Sequence, residues 1–208
     1  MADPISHLIS SAEQLTALFP APGEAAVRKE TPVITPEYRA MIAASPFVVL
    51  ATSGPDGLDA SPRGDPAGFV AVADERTLLL PERRGNNRID SLRNLLHDER
   101  VGLLFLIPGV GETLRVNGRA AISVEPALLE RFRMQGQLPR CVLVIAVETV
   151  YFQCARAILR SGLWNPPSPE VRASVPTAGA ILEAVTDHDI DGAVYDRELP
   201  ARQRSTLY

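Results

Sequence analysis

Apolar and polar positions follow two different rhythms along the chain. Residues 10–19 place Leu15, Leu18 and Phe19 on one stripe behind a Ser10/Glu13 capping box, which predicts a short helix. Residues 20–34 are rich in Pro, Gly and charge and read as a surface connection. Thr35-Pro36-Glu37 predicts a second helix, with threonine as cap and proline in the first turn, ending near Ser45-Pro46. The rhythm then turns β-like. Phe47 to Thr52 is an apolar strand, Ser53 to Gly57 a turn, and Leu58 to Ser61 the returning strand of a hairpin. Gly68 to Val72 and Thr77 to Leu80 read as short strands, followed by an amphipathic helix over 87–97. Val101 to Ile107 is apolar throughout, as in a central strand. Glu112 to Val124 and Cys141 to Phe152 are long strands around a helix from Pro126 to about Met134. A short helix over 155–162 comes next. Residues 165–176, with Pro166, Pro167, Pro169 and Pro176, read as an extended connector, 177–186 as a last helix, and the rest as a polar tail.

Strands separated by turns, with a helix inserted among them, predict a mainly β fold with peripheral helices. An antiparallel barrel fits this order better than a parallel α/β sheet. The expected organisation is an N-terminal helical extension (1–34), a barrel domain (35–165) and a C-terminal extension (166–208). The last of these should wrap the body or a second subunit.

Composition narrows the function classes. The chain has 208 residues, 46% of them hydrophobic and 22% charged, as in an ordinary globular domain. Its formal charge is 21 − 25 = −4, which argues against broad nucleic-acid binding. Lys29 is the only lysine, so nearly all cations are forked, permanently charged guanidiniums. Cys141 and Cys154 form neither a metal spacing nor a disulfide framework, and three scattered histidines give no metal site. No basic-then-apolar leader opens the chain, and no apolar run reaches the ~18 residues of a membrane span. A cytoplasmic protein without membrane partners is expected.

Chemistry concentrates between Leu80 and Leu96. A strand ends in a loop holding Arg83, Arg84, Gly85, Asn86, Asn87 and Arg88, and a helix follows. Guanidiniums and amides at a helix start describe an anion site, with phosphate the best fit. On the helix, Ile89, Leu92 and Leu96 share an apolar face, and Asn87, Ser91 and Asn94 a polar one. A solvated loop before an ordinary amphipathic helix fits the same pattern. Ser61-Pro62-Arg63-Gly64-Asp65-Pro66 offers a hydroxyl and a further cation, or simply an exposed turn with an Arg–Asp pair. Thr113, Arg115 and Asn117 share one face of a strand, which lines a cleft or faces water. Trp164, near Arg160, suits either a stacked aromatic ligand or packing. Cys154 reads as an inert buried thiol. The chain has no G-x-x-x-x-G-K-[ST], G-x-G-x-x-G or G-x-S-x-G motif, which disfavours Walker nucleotidases, dinucleotide folds and serine hydrolases.

Taken together, SPRGD, LPERRGNNRIDSLRNL, VGLLFLIPGVGETLRVNGRA and YFQCARAILRSGLW resemble the pyridoxamine 5′-phosphate oxidase-like, FMN-binding split-barrel superfamily, in a subgroup of FMN-dependent flavoproteins of unassigned substrate. The resemblance covers residues 35–165 well. It implies a six-stranded antiparallel FMN-binding split barrel and a homodimer with FMN at the subunit interface. By the same resemblance Arg83, Arg84, Asn87 and Arg88, with Ser91, would hold the FMN phosphate. Ser61 and Arg63 would flank the flavin, and Thr113 would meet the isoalloxazine ring. Arg160 and Trp164 would approach from the partner. The chain departs from the oxidases proper in three ways: no Arg-Lys pair in the loop, no glutamine at 113, and an ARQRSTLY ending instead of their W…R…P signature. Vitamin B6 oxidation is therefore not expected. The implied activity is an FMN-dependent oxidoreductase of unknown small-molecule substrate, with no residue assigned as general acid or base. A non-catalytic flavin sensor and a haem- or tetrapyrrole-binding split barrel are the alternatives.

Overall fold

A computed structural model describes residues 7–208; the first six residues of the expected N-terminal extension lie outside the described residues. The chain opens with α1 (Ala12–Leu18), α2 (Glu24–Arg28) and α3 (Pro36–Ala44). It continues with β1 (Phe47–Gly54), β2 (Gly57–Gly64), β3 (Ala71–Asp74), β4 (Thr77–Glu82), α4 (Asp90–Leu95), β5 (Arg100–Leu106), β6 (Thr113–Ser123), α5 (Pro126–Arg131) and β7 (Cys141–Gln153). It closes with α6 (Arg156–Ser161), α7 (Pro169–Ser174), α8 (Ala178–Val185) and α9 (Gly192–Ser205).

All strand pairs are antiparallel, in the order β2-β1-β5-β6-β7-β4-β3. Alternate residues point to one interior. Val48 and Leu50 of β1, Leu78 and Leu80 of β4, Phe105 of β5, Leu114 and Val116 of β6, and Leu143 and Ile145 of β7 belong to one core and are fully buried. Burying each such side chain contributes about 1.5–3 kcal/mol. Strands far apart in the sheet order share this core because the sheet curls on itself. The curl closes through side chains: Arg63 Nε of β2 donates to Glu82 Oε2 of β4 at 2.9 Å. Just beyond the two strand ends, Arg83 Nε donates to Asp65 Oδ2 at 2.7 Å. This is a split barrel, with seven strands where six were expected. The seventh is the four-residue β3, on the outer side of β4.

Helix α3 has the predicted cap: Tyr38 N donates to Thr35 Oγ1, and Tyr38 and Ile42 point into the core. Several expectations need correction. Ser11 and not Ser10 caps α1, its Oγ accepting from Gln14 N at 3.2 Å, and α2 forms within the expected surface connection. Gly68 has a φ of +87°, so Phe69 and Val70 turn into the core and β3 starts only at Ala71. Helix α4 begins at Asp90 and not Asn87, because Asn87 (φ 60°) and Ile89 (φ 54°) are left-handed. The later start leaves Asn87 and Ile89 outside the helical register. Leu92 packs against the core as expected and Asn87 and Ser91 line one cleft, but Leu95 takes the buried place expected of Ile89 and Leu96, which are exposed. The proline-rich connector contains α7, because Ser168 caps it and Pro169 sits where a proline suits a first turn. The polar tail contains α9, capped by Asp191, whose Oδ1 accepts from Val194 N at 2.9 Å.

The two C-terminal helices α8 and α9 touch backbone to backbone: a Cβ on Gly179 would lie 2.1 Å from Gly192 O. The chain end then returns to the barrel, where Tyr208 donates to Asp65 Oδ1 at 2.7 Å. Among the described residues no helix is long and apolar enough to cross a membrane.

Gly118 sits at a register shift in β6, and a Cβ there would lie 2.1 Å from Ala146 O of β7. A strand backbone cannot yield without losing its ladder. Gly118→Ala is therefore expected to destabilise the fold by about 1–3 kcal/mol in urea unfolding; an unchanged midpoint would show that the two strands part freely.

Candidate functional site

The split between β2 and β4 opens into a cleft of about 430 Å³. Ser61, Arg63, Arg83, Arg84, Asn87, Arg88 and Ser91 all line it, with Asp59, Glu82 and Arg140. Each element supplies its residues for a local reason. Alternation along β2 puts Asp59, Ser61 and Arg63 on one face. The last residue of β4 supplies Glu82, and the loop after it the arginines. Ser91 lies in the first turn of α4 and is buried against β2.

Arg63 organises the floor. Besides its bond to Glu82, Nη1 donates to Ser61 Oγ at 2.9 Å and Nη2 to Ser91 Oγ at 3.3 Å. The two serine hydroxyls are 2.9 Å apart. Asp59 Oδ2 accepts from Ser61 Oγ at 3.1 Å and from Ser91 Oγ by a short bond. Burial pushes the Glu82 carboxyl above its ordinary range, against the opposing pull of Arg63.

The arginines are not equivalent. Arg83 is tied down by Asp65, by the Phe132 carbonyl at 2.6 Å, and by its guanidinium lying 5.6 Å from the centre of the Tyr208 ring. It is a structural strap more than a free hand. Arg88 Nε is 2.7 Å from Asp90 Oδ2 and largely exposed. Arg84 and Arg140 are exposed and, among the described residues, in no ion pair. Five arginines face three carboxylates (Asp59, Glu82 and Asp90) across the cleft, so it attracts anions. The helix start adds little: α4 has six residues, and the Arg88 N–H is taken by Asn86 Oδ1.

Thr113, Arg160 and Trp164 do not line this cleft. Thr113 is buried, and its hydroxyl lies 3.5 Å from the Gln153 side-chain amide. Trp164 Nε1 donates to Val110 O at 2.7 Å, which docks it on the loop between β5 and β6. Arg160 is exposed on α6. Cys141 lies beside Glu82 in the sheet, and burial pushes its thiol up to about 11, which leaves it protonated and unreactive. Cys154 is exposed, contrary to expectation. Sequence reasoning missed Asp59, Glu82 and Arg140. The two-residue spacing of Asp59, Ser61 and Arg63 was a usable signal for the first. Arg140 is brought beside Glu82 from much later in the chain by the β4–β7 pairing, for which no local signal exists.

Residues 34–154 match the family described as pyridoxamine 5′-phosphate oxidase. The chain belongs to that family. The matched region runs from the start of α3 through β7, so it contains every strand and the whole cleft. Three solved structures similar to this family member span nearly all of their own length on it. The HupZ protein of Group A Streptococcus is 22% identical, covering 58% of this chain and 94% of that one, with a TM-score of 0.47. A Lactobacillus delbrueckii protein named for pyridoxamine 5′-phosphate oxidase is 21% identical, covering 58% and 95%, with a TM-score of 0.46. An FAD-binding protein of Mesorhizobium loti is 18% identical, covering 56% and 89%, with a TM-score of 0.40. No curated protein matches the chain.

Proposed function

We propose that this protein binds FMN in the cleft between β2 and β4 and acts as an FMN-dependent oxidoreductase on a small molecule. The observation that carries the reading is the convergence of seven expected contact residues from β2, the arginine loop and α4 on one space of about 430 Å³. The donor set fits a phosphate. Arg84, Arg88 and Arg140 supply charge from the rim, while Ser61 and Ser91, whose hydroxyl protons go to Asp59, form the floor. Arg63 and Arg83 hold the walls in place through Glu82 and Asp65. Bound FMN supplies hydride or electron transfer; the protein's part is to grip, orient and shield it.

A homodimer completes the proposal. Phe47, Val110, Phe152, Leu159 and Leu163 are exposed apolar residues at or near the barrel end where β1 begins and β7 finishes. Clustered exposure of this kind supports an interface. Thr113, Arg160 and Trp164 belong to the same end, and their distance from the cleft of their own chain fits a role at the partner's flavin.

Titration of the flavin-free protein with FMN tests the reading. Saturable quenching of flavin fluorescence at one FMN per chain is expected, with a dimer in sedimentation. A protein that leaves FMN fluorescence unchanged would overturn it.

A further inference from the structure

The cleft holds three carboxylates, and two are neutralised: Glu82 by Arg63 at 2.9 Å and Asp90 by Arg88 at 2.7 Å. Asp59 is different. It lines the same arginine-rich space, yet among the described residues it is in no ion pair. Its partners are both hydroxyls, Ser61 and Ser91, and both bind Oδ2. Oδ1 accepts no hydrogen bond among the described residues.

An ionised carboxylate only accepts, and its two oxygens offer about four lone-pair sites. A bare carboxylate oxygen beside a phosphate site is repulsive unless the ligand brings donors of its own. A ligand with a phosphate at one end and carbon-bound hydroxyls next to it satisfies both halves of the cleft. The arginine rim takes the phosphate, and Asp59 takes a hydroxyl.

We infer that Asp59 is a specificity-determining residue that accepts a hydrogen bond from a ribityl hydroxyl of the flavin, reading the sugar-alcohol chain while the arginines read the phosphate. The inference rests on the FMN reading. It adds a requirement which that reading lacks: the hydroxyl-bearing chain is recognised by charge, independently of the phosphate.

The test compares wild type and Asp59→Asn with three ligands: FMN, riboflavin and inorganic pyrophosphate. Loss of a hydrogen bond to a charged acceptor should weaken FMN about ten- to a hundredfold, and riboflavin by the same factor. Pyrophosphate, which has no hydroxyl chain, should bind the variant as well as wild type or better. FMN affinity that is unchanged or tighter in the variant overturns the inference and marks Asp59 as a mere repulsive neighbour of the phosphate. Equal weakening of pyrophosphate also overturns it, because Asp59 would then only be holding the serines and arginines. If circular dichroism shows the variant unfolded, the wild-type protein decides. At least one FMN analogue lacking a single ribityl hydroxyl must bind about tenfold more weakly, and equal affinity for all of them overturns the inference. Failure of wild type to bind FMN would overturn the FMN reading as well, and appears before any variant is made.

Discussion

Arg63→Met is expected to destabilise the protein by about 3–5 kcal/mol, the cost of leaving a buried charge without its partner. Arg63 and Glu82 each retain only 16% side-chain exposure, so water cannot replace the lost guanidinium. The same change strips Ser61 and Ser91 of a donor and removes the side-chain bridge that closes the barrel. The deficit should depend on pH. Burial already holds the Glu82 carboxyl above its ordinary range, with Arg63 opposing the shift. Without Arg63 the folded-state value rises further above the unfolded one. A carboxyl of that kind binds its proton more readily when folded, so the deficit is full above the folded value and shrinks as pH falls through it. Urea unfolding over a pH series measures this. Adding Glu82→Gln should recover part of the loss at neutral pH. A loss under about 1 kcal/mol at neutral pH, or one that grows on acidification, would rule out this account of the closure.

The second large effect concerns binding. Arg84→Ala combined with Arg88→Ala should weaken FMN about 10²- to 10⁴-fold, from two charge-assisted hydrogen bonds at about 1.5–3 kcal/mol each. Riboflavin has no phosphate, and its affinity should barely move. Both side chains are exposed, so the midpoint of unfolding should also stay close to wild type. Arg83→Ala should behave in the opposite way. It loosens Asp65, the Phe132 carbonyl and Tyr208, so it lowers stability more than it lowers phosphate affinity. Calorimetric titration of the double variant with both flavins decides the matter. FMN affinity within a few fold of wild type would remove the phosphate from this loop.

The barrel was legible because its evidence is local. The apolar runs of β1 and β5 and the long β6 and β7 could each be read from a short stretch of neighbouring residues. The arginine loop was legible for the same reason, since its cations are adjacent in sequence. What escaped depended on partners elsewhere. The left-handed turns at Asn87 and Ile89 take both residues out of α4, and no sequence rule places a β-branched residue in that conformation. Arg83 looked like a free ligand until Asp65 and Tyr208 claimed it, from 18 and 125 positions away (83 − 65 and 208 − 83). Helix α9 escaped because its polar composition gives almost no apolar stripe, although its cap and its Glu, Arg, Gln and Ala content favour a helix.

The strand order also dictates a sequence of events. Strands β5, β6 and β7 follow one another and pair as neighbours, so this meander can form from short-range encounters. Strand β1 must wait for β5, and β4 must wait for β7, with α4 lying between the members of each pair. Loop-closure entropy is spent on those two long-range joins before their hydrogen bonds exist. During synthesis the apolar edges of β1 and β4 therefore leave the ribosome well before the strands that cover them. That interval is when the newly made chain is most exposed to self-association and most dependent on chaperones.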